Sequence, residues 1–170
     1  MKKLVLAGAF AALALTATGA NAAPVSATTN ATGKVRILTP LKLESTQNFD
    51  LGTIVLSGPS GFSTSVGLNQ AGALTCDTTK VTCSGTTSVA KYKINGTPGA
   101  VVTVTAPNVS LSNGSATLTL TLDAPASVTL TSAATTLAGE VFSIGGSIPV
   151  TSATADGVYT GNFNISADYQ

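Results

Sequence analysis

Residues Gly157 to Gln170 read GVYTGNFNISADYQ. Tyr159, Gly161, Phe163, Ile165, Ala167 and Tyr169 are apolar or small, while Thr160, Asn162, Asn164, Ser166 and Asp168 between them are polar. A repeat of two is the side-chain period of a strand, so the spacing predicts a strand with one oily and one wet face. The same pattern recurs upstream. Ala116, Leu118, Leu120 and Leu122 alternate with threonines, as do Val102 and Val104, and Val128 and Leu130. Further strands are predicted over 34–38, 41–45, 52–56, 63–68, 88–94, 140–144 and 147–151. The stretch 107–111 fits a strand or a crossing loop equally well. No apolar run holds a helical period beyond one or two turns, so the chain reads as all-β. Asn95-Gly96, Asn113-Gly114, Gly145-Gly146 and Asp156-Gly157 are expected to supply positive φ for hairpins between these strands. Roughly ten short strands with regular turns in one domain predict a β-sandwich.

Residues 1–22 read as a secretory signal peptide: Lys2 and Lys3, an apolar run from Leu4 to Leu15, then Ala20-Asn21-Ala22 as a small-x-small cleavage site. The alternative, a membrane anchor, needs about 20 apolar residues, more than this run has. The mature chain is therefore expected to begin near Ala23 and to carry no membrane span. Residues 23–33 form a low-complexity N-terminal arm, and 34–170 the sandwich domain. The expected destination is export through the periplasm to the cell surface or beyond.

Eight basic and seven acidic residues nearly cancel, and charged residues make up 9% of the chain with no run of either sign. Nucleic acid and anionic membrane surfaces are therefore not expected partners. There is no His and no Trp, and the acids are scattered without motif context. No nucleophile with its base can be assembled, so no catalytic residue, metal ligand or cofactor is assigned and the chain is read as no enzyme. Cys76 and Cys83, the two cysteines, stand in TCDTTKVTCSG with six residues between them. In an exported chain they predict a disulfide closing a small loop; a metal site is the rival reading, but two thiols without His make a poor ligand set. Five Asn-x-Ser/Thr triplets fall within chance for a chain this rich in those residues. Tyr92 and Tyr159 fit either an exposed ligand patch or cross-strand packing. Tyr169, next to the chain end, reads as a recognition residue.

With this leader, the C-terminal strand resembles the assembly strand of chaperone-usher pilins. The resemblance rests on Gly157, fourteenth from the end, the alternating residues after it, and the penultimate Tyr169. In addition LKLESTQNFDLGTIV at 41–55, AKYKINGTPGAVVTVTAP at 90–107 and GGSIPVTSATADGVYTGNFNISADYQ at 145–170 resemble a bacterial secreted family, domain of unknown function 4402. The pilin resemblance implies an immunoglobulin-like sandwich that lacks its final strand and is completed by strand donation, and a role as structural subunit of a surface fibre. It implies three kinds of partner: a periplasmic chaperone, an outer-membrane usher and neighbouring subunits. Gly157, Tyr159, Gly161, Phe163, Ile165, Ala167, Tyr169 and Gln170 would then form the assembly strand. Val25, Ala27, Thr29 and Ala31 would be the apolar face of a donor strand. The competing expectation is a self-complete, monomeric secreted binding module or adhesin, with 57–63 and 75–86 as ligand loops.

Overall fold

The computed structural model describes residues 24–170. The predicted signal peptide lies outside these residues. The chain divides into two units at Arg36 and Ile37. In the first, residues 24–36 are exposed and form no strand. The second holds twelve strands and one short 3-10 turn, and no α-helix occurs among the described residues.

The strands are β1 (Lys42–Gln47), β2 (Thr53–Leu56), β3 (Ser63–Leu68), β4 (Leu74–Thr75), β5 (Val81–Ser84), β6 (Ala90–Asn95), β7 (Val101–Thr105), β8 (Val109–Ser112), β9 (Thr117–Asp123), β10 (Ser127–Thr129), β11 (Glu140–Thr151) and β12 (Ser166–Tyr169). All pairings are antiparallel. The larger sheet runs β1-β6-β11-β3-β4, with β9 also on β11 and β8 on β9; a smaller sheet runs β10-β7-β12, and β2 with β5 forms a ribbon. Alternation decides which side faces inward. Ala90, Tyr92 and Ile94 of β6 are buried while Lys91, Lys93 and Asn95 between them are only half covered. Val102 and Val104 of β7 face them, and with Leu130, Phe142 and Ile144 they close one core cluster. A second cluster gathers Val66 and Leu68 of β3, Ile148 and Val150 of β11, Val109, Leu120 and Val81. Phe49, Leu122 and Phe163 pack against both. This is the all-β sandwich the periodicity predicts.

Several elements differ from expectation, each for a physical reason. The Gly145-Gly146 pair makes no turn: β11 runs through it as one strand whose first five residues pair with β6, whose last six pair with β3, and whose middle pairs with β9. Both glycines lie outside the positive-φ region. They are needed for close approach, since a Cβ on Gly145 would collide with the Leu68 carbonyl oxygen and one on Gly146 would sit 3.0 Å from Leu120 Cδ1. Asn95-Gly96 joins β6 to β7, which lie in different sheets, so it forms no hairpin either. Among the four dipeptides, Asn113-Gly114 does connect paired neighbours, β8 and β9, with Gly114 at φ 91°. The undecided stretch 107–111 contributes the strand β8. Residues 34–38 form no strand despite their alternation, and two short strands stand where no alternation predicts them, β4 just before Cys76 and β5 across Cys83.

Candidate functional site: an open seam between two edge strands

The C-terminal segment crosses from one half of the sandwich to the other. At its start Thr160 and Ser112 exchange two backbone hydrogen bonds, 2.8 and 3.0 Å long, with the end of β8. Gly161 then passes so close to β8 that a Cβ there would lie 2.7 Å from the Ser110 carbonyl. Regular pairing resumes at Ser166, where β12 lies antiparallel to β7 from Ser166↔Thr105 to Tyr169↔Val102. Gln170 extends this register, its N–H donating to the Val101 carbonyl at 3.0 Å and its side-chain amide to Thr103 Oγ1 at 2.9 Å. The predicted strand over 157–170 is thus a regular strand only over Ser166–Tyr169. Among the described residues, the stretch between, Gly161–Ile165, makes no backbone hydrogen bond. Backbone groups that lack partners in a fold must take them from water or another chain.

The predicted facing holds at every position but Gly161. Tyr159, Phe163, Ile165, Ala167 and Tyr169 are half-buried, and Asn162, Asn164, Ser166, Asp168 and Gln170 are exposed; Gly161, the one small inward position, is also exposed. Phe163 packs on both core clusters, while Ile165, Ala167 and Tyr169 pack on the β6–β7 cluster.

β12 is an edge of the smaller sheet, and β1 is an edge of the larger one. The start of β1 and the end of β12 are clasped together by Tyr169: its phenol donates to the Thr39 carbonyl at 2.7 Å and accepts from the Thr97 N–H at 2.8 Å. Thr39 is held from its other side by Thr97 Oγ1, which accepts its N–H at 2.8 Å. Gly96 supplies the space, because a Cβ there would be 2.5 Å from the Tyr169 oxygen and 2.8 Å from both Leu130 Cδ1 and Leu41 Cδ2. Tyr169 therefore has an intramolecular task that sequence reasoning missed, along with its partners Thr39, Gly96 and Thr97. No local signal marks the clasp, since Asn95-Gly96 reads as a hairpin turn in the sequence.

At the other end the seam is open. A cleft of about 420 Å³ lies between the end of β1 (Ser45, Gln47 and the following Asn48 and Phe49) and Tyr159–Phe163, floored by Tyr92, Leu111 and Leu120. That exceeds the volume of about 150 Å³ in which an engineered apolar cavity holds benzene. β1 carries a bulge between Ser45 and Gln47, where the Gln47 side chain turns to donate to the Val89 carbonyl at 2.9 Å. Bulges on edge strands discourage indiscriminate pairing. Tyr92 stacks on Phe142 with ring centres 5.9 Å apart. Burial pushes its phenol above the ordinary range, against the opposing effect of its hydrogen bond with Ser45. Tyr92 and Tyr159 do share one surface, the cleft wall; the Tyr159 hydroxyl donates to the Ala155 carbonyl at 2.9 Å.

The predicted disulfide is present: Cys76 and Cys83 are bonded across a Cα–Cα distance of 6.4 Å and pack against the β3 core cluster. Inside their loop Asp77 accepts from the Thr79 N–H and hydroxyl at 3.1 and 2.6 Å and pairs with Lys80 at 3.1 Å. These bonds, that from the Thr79 hydroxyl foremost, hold its carboxyl below the usual range. No residue of this loop lines the cleft. Val25, Ala27, Thr29 and Ala31 are exposed and form no strand. Among the described residues there is no group of three or more His, Cys, Asp or Glu placed to hold a metal, and no helix long and apolar enough to cross a membrane.

Residues 41–169 match the family model described as domain of unknown function (DUF4402), so the chain belongs to that family. The match spans β1 to β12, including both strands that border the seam. No curated protein and no solved structure matches the chain.

Proposed function

We propose that this protein is a structural subunit of a bacterial surface fibre, exported and assembled by β-strand donation into the open cleft between the end of β1 and the segment before β12. The observation that carries the reading is the five-residue run Gly161–Ile165, which turns Phe163 and Ile165 inward yet has no backbone partner among the described residues. It lies beside an edge strand and a cleft with an apolar floor. A segment entering there gains main-chain hydrogen bonds from the run and apolar burial from the cleft together, the two terms that make strand addition both tight and selective. The surface fits the role, because a 9% charged composition leaves a hydroxyl-rich exterior with little to attract nucleic acid.

Before assembly the seam would need cover. On this reading a periplasmic chaperone lays a strand along it, an usher exchanges that strand for one from a neighbouring subunit, and the sandwich takes on a complete immunoglobulin-like form. The test is the state of the purified chain from Ala23 onward, by size-exclusion chromatography and electron microscopy. A fibre subunit forms multimers or accumulates only with a covering partner. A stable monomer that never assembles would refute the reading and put a self-complete binding module in its place.

A further inference from the structure

We propose that the cleft at the open end of the seam is a binding site for a neutral sugar unit, with the sugar's C–H face against aromatic rings and its hydroxyls against the side-chain amides of the rim. The inference does not rest on strand donation. A sugar and a donated strand exclude one another, so the site belongs to a subunit whose cleft is open.

The lining narrows the ligand step by step. No Lys, Arg, Asp or Glu borders the cleft, so nothing there offsets the dehydration of a charged ligand. A purely apolar ligand fits no better. Gln47, Asn48 and Asn162 bring three side-chain amides to the same cleft, and covering them without hydrogen bonds is unfavourable. An amide holds a donor and an acceptor in one plane, and a hydroxyl both donates and accepts, so two neighbouring sugar hydroxyls can satisfy one amide. Two of the three amides have no other task. Among the described residues the side chains of Asn48 and Asn162 have no hydrogen-bond partner. Gln47 gives its nitrogen to the Val89 carbonyl at 2.9 Å, which holds the side chain in place and leaves its oxygen to accept.

Aromatic rings complete the match. Phe49, Tyr159 and Phe163 are half-buried members of the lining. The negative face of such a ring attracts the polarised C–H groups that cover one side of a pyranose. Backbone groups of Gly161–Phe163, unpaired among the described residues, add further donors and acceptors beside them. The volume, about 420 Å³, lies within the range of about 300 to 1,000 Å³ typical of small-molecule sites. Uncharged lining, free amides and aromatic rings in one cleft are together the complement of a neutral sugar.

The experiment is an NMR titration of the monomeric fraction of the chain from Ala23 onward. Its probes are the methyl glycosides of glucose, galactose and mannose, each beside its uronate counterpart. At least one neutral glycoside should bind with a dissociation constant of about 1 to 10 mM and move the amide signals of Gly161–Phe163. Its uronate should bind about ten-fold more weakly or not at all. The variant Asn48→Ala/Asn162→Ala alters two exposed residues, so it should keep the wild-type melting temperature while its affinity falls about ten-fold or more. Undiminished binding by that variant would overturn the placement in the cleft. A uronate bound as tightly as its neutral sugar would overturn the neutral assignment. No signal change with any glycoside up to about 100 mM would overturn the site itself, and in a chain that also forms fibres that result leaves the fibre reading standing.

Discussion

Replacing Tyr169 by Phe removes one oxygen and leaves the ring packed against the β6–β7 core. That oxygen serves two backbone groups, the Thr97 N–H at 2.8 Å and the Thr39 carbonyl at 2.7 Å. Thr39 is exposed and Thr97 half-buried, so water replaces part of what is lost. The cost should be about 1 to 2 kcal/mol, between an exchanged hydrogen bond and a fully orphaned buried group. For a domain of this size that is a fall of about 3 to 8 °C in melting temperature. Gly96→Ala attacks the same clasp from the other side. Its backbone is outside the positive-φ region, so strain comes from the contacts at 2.5 and 2.8 Å, worth about 1 to 3 kcal/mol. Since the shortest contact is to the Tyr169 oxygen, the double variant should be less destabilised than the sum by about 0.5 kcal/mol or more. Thermal unfolding of the four proteins, followed by circular dichroism, measures the cycle. A melting temperature for Tyr169→Phe within about 1 °C of wild type, or strict additivity with Gly96→Ala, would refute the clasp.

Replacing Cys76 and Cys83 by Ser should lower stability by about 2 to 3 kcal/mol without abolishing the fold, as expected for a loop this short; urea titration measures it, and thiol labelling of the unfolded, unreduced wild type should find no free thiol. Gly145→Val should destabilise by about 3 kcal/mol or more, because its Cβ meets the Leu68 carbonyl, a backbone atom fixed by the β3–β11 ladder; wild-type stability would show that β11 can part from β3 there. Asp77 has a folded-state pKa below its ordinary value of 3.8. Its contribution is therefore present above that value and lost as pH falls through the lowered pKa. Melting temperatures taken down the acid limb should show a small drop that Asp77→Asn lacks.

The strand alternations were legible because half-burial writes itself into sequence with period two: β3, β6, β7 and β9 lie where the apolar and polar residues alternate. The same signal misleads over 34–38, since alternation reports which face is apolar and not whether a neighbouring strand exists to receive it. Glycine was ambiguous for a related reason. At Gly114 it supplies positive φ, at Gly145 it makes room for a carbonyl and at Gly96 for a phenol, and nothing local distinguishes the three uses. β5 was hidden because its four residues, Val81–Ser84, straddle Cys83 at the close of the cysteine loop. For the site, the inward set of Phe163, Ile165, Ala167 and Tyr169 was readable from the chain end. The clasp between Tyr169 and Thr39 was not, because it joins residues 130 positions apart.

Amide hydrogen exchange resolved at Gly161–Ile165 bears most directly on the open seam. In the isolated subunit these amides should exchange nearly as fast as in an unfolded chain, while β7 and β11 are strongly protected. On assembly, protection at alternate residues of the run should rise by about a hundred-fold or more, as a donated strand takes up their backbone groups. Strong protection in the isolated subunit, or no change between subunit and fibre, would contradict the account.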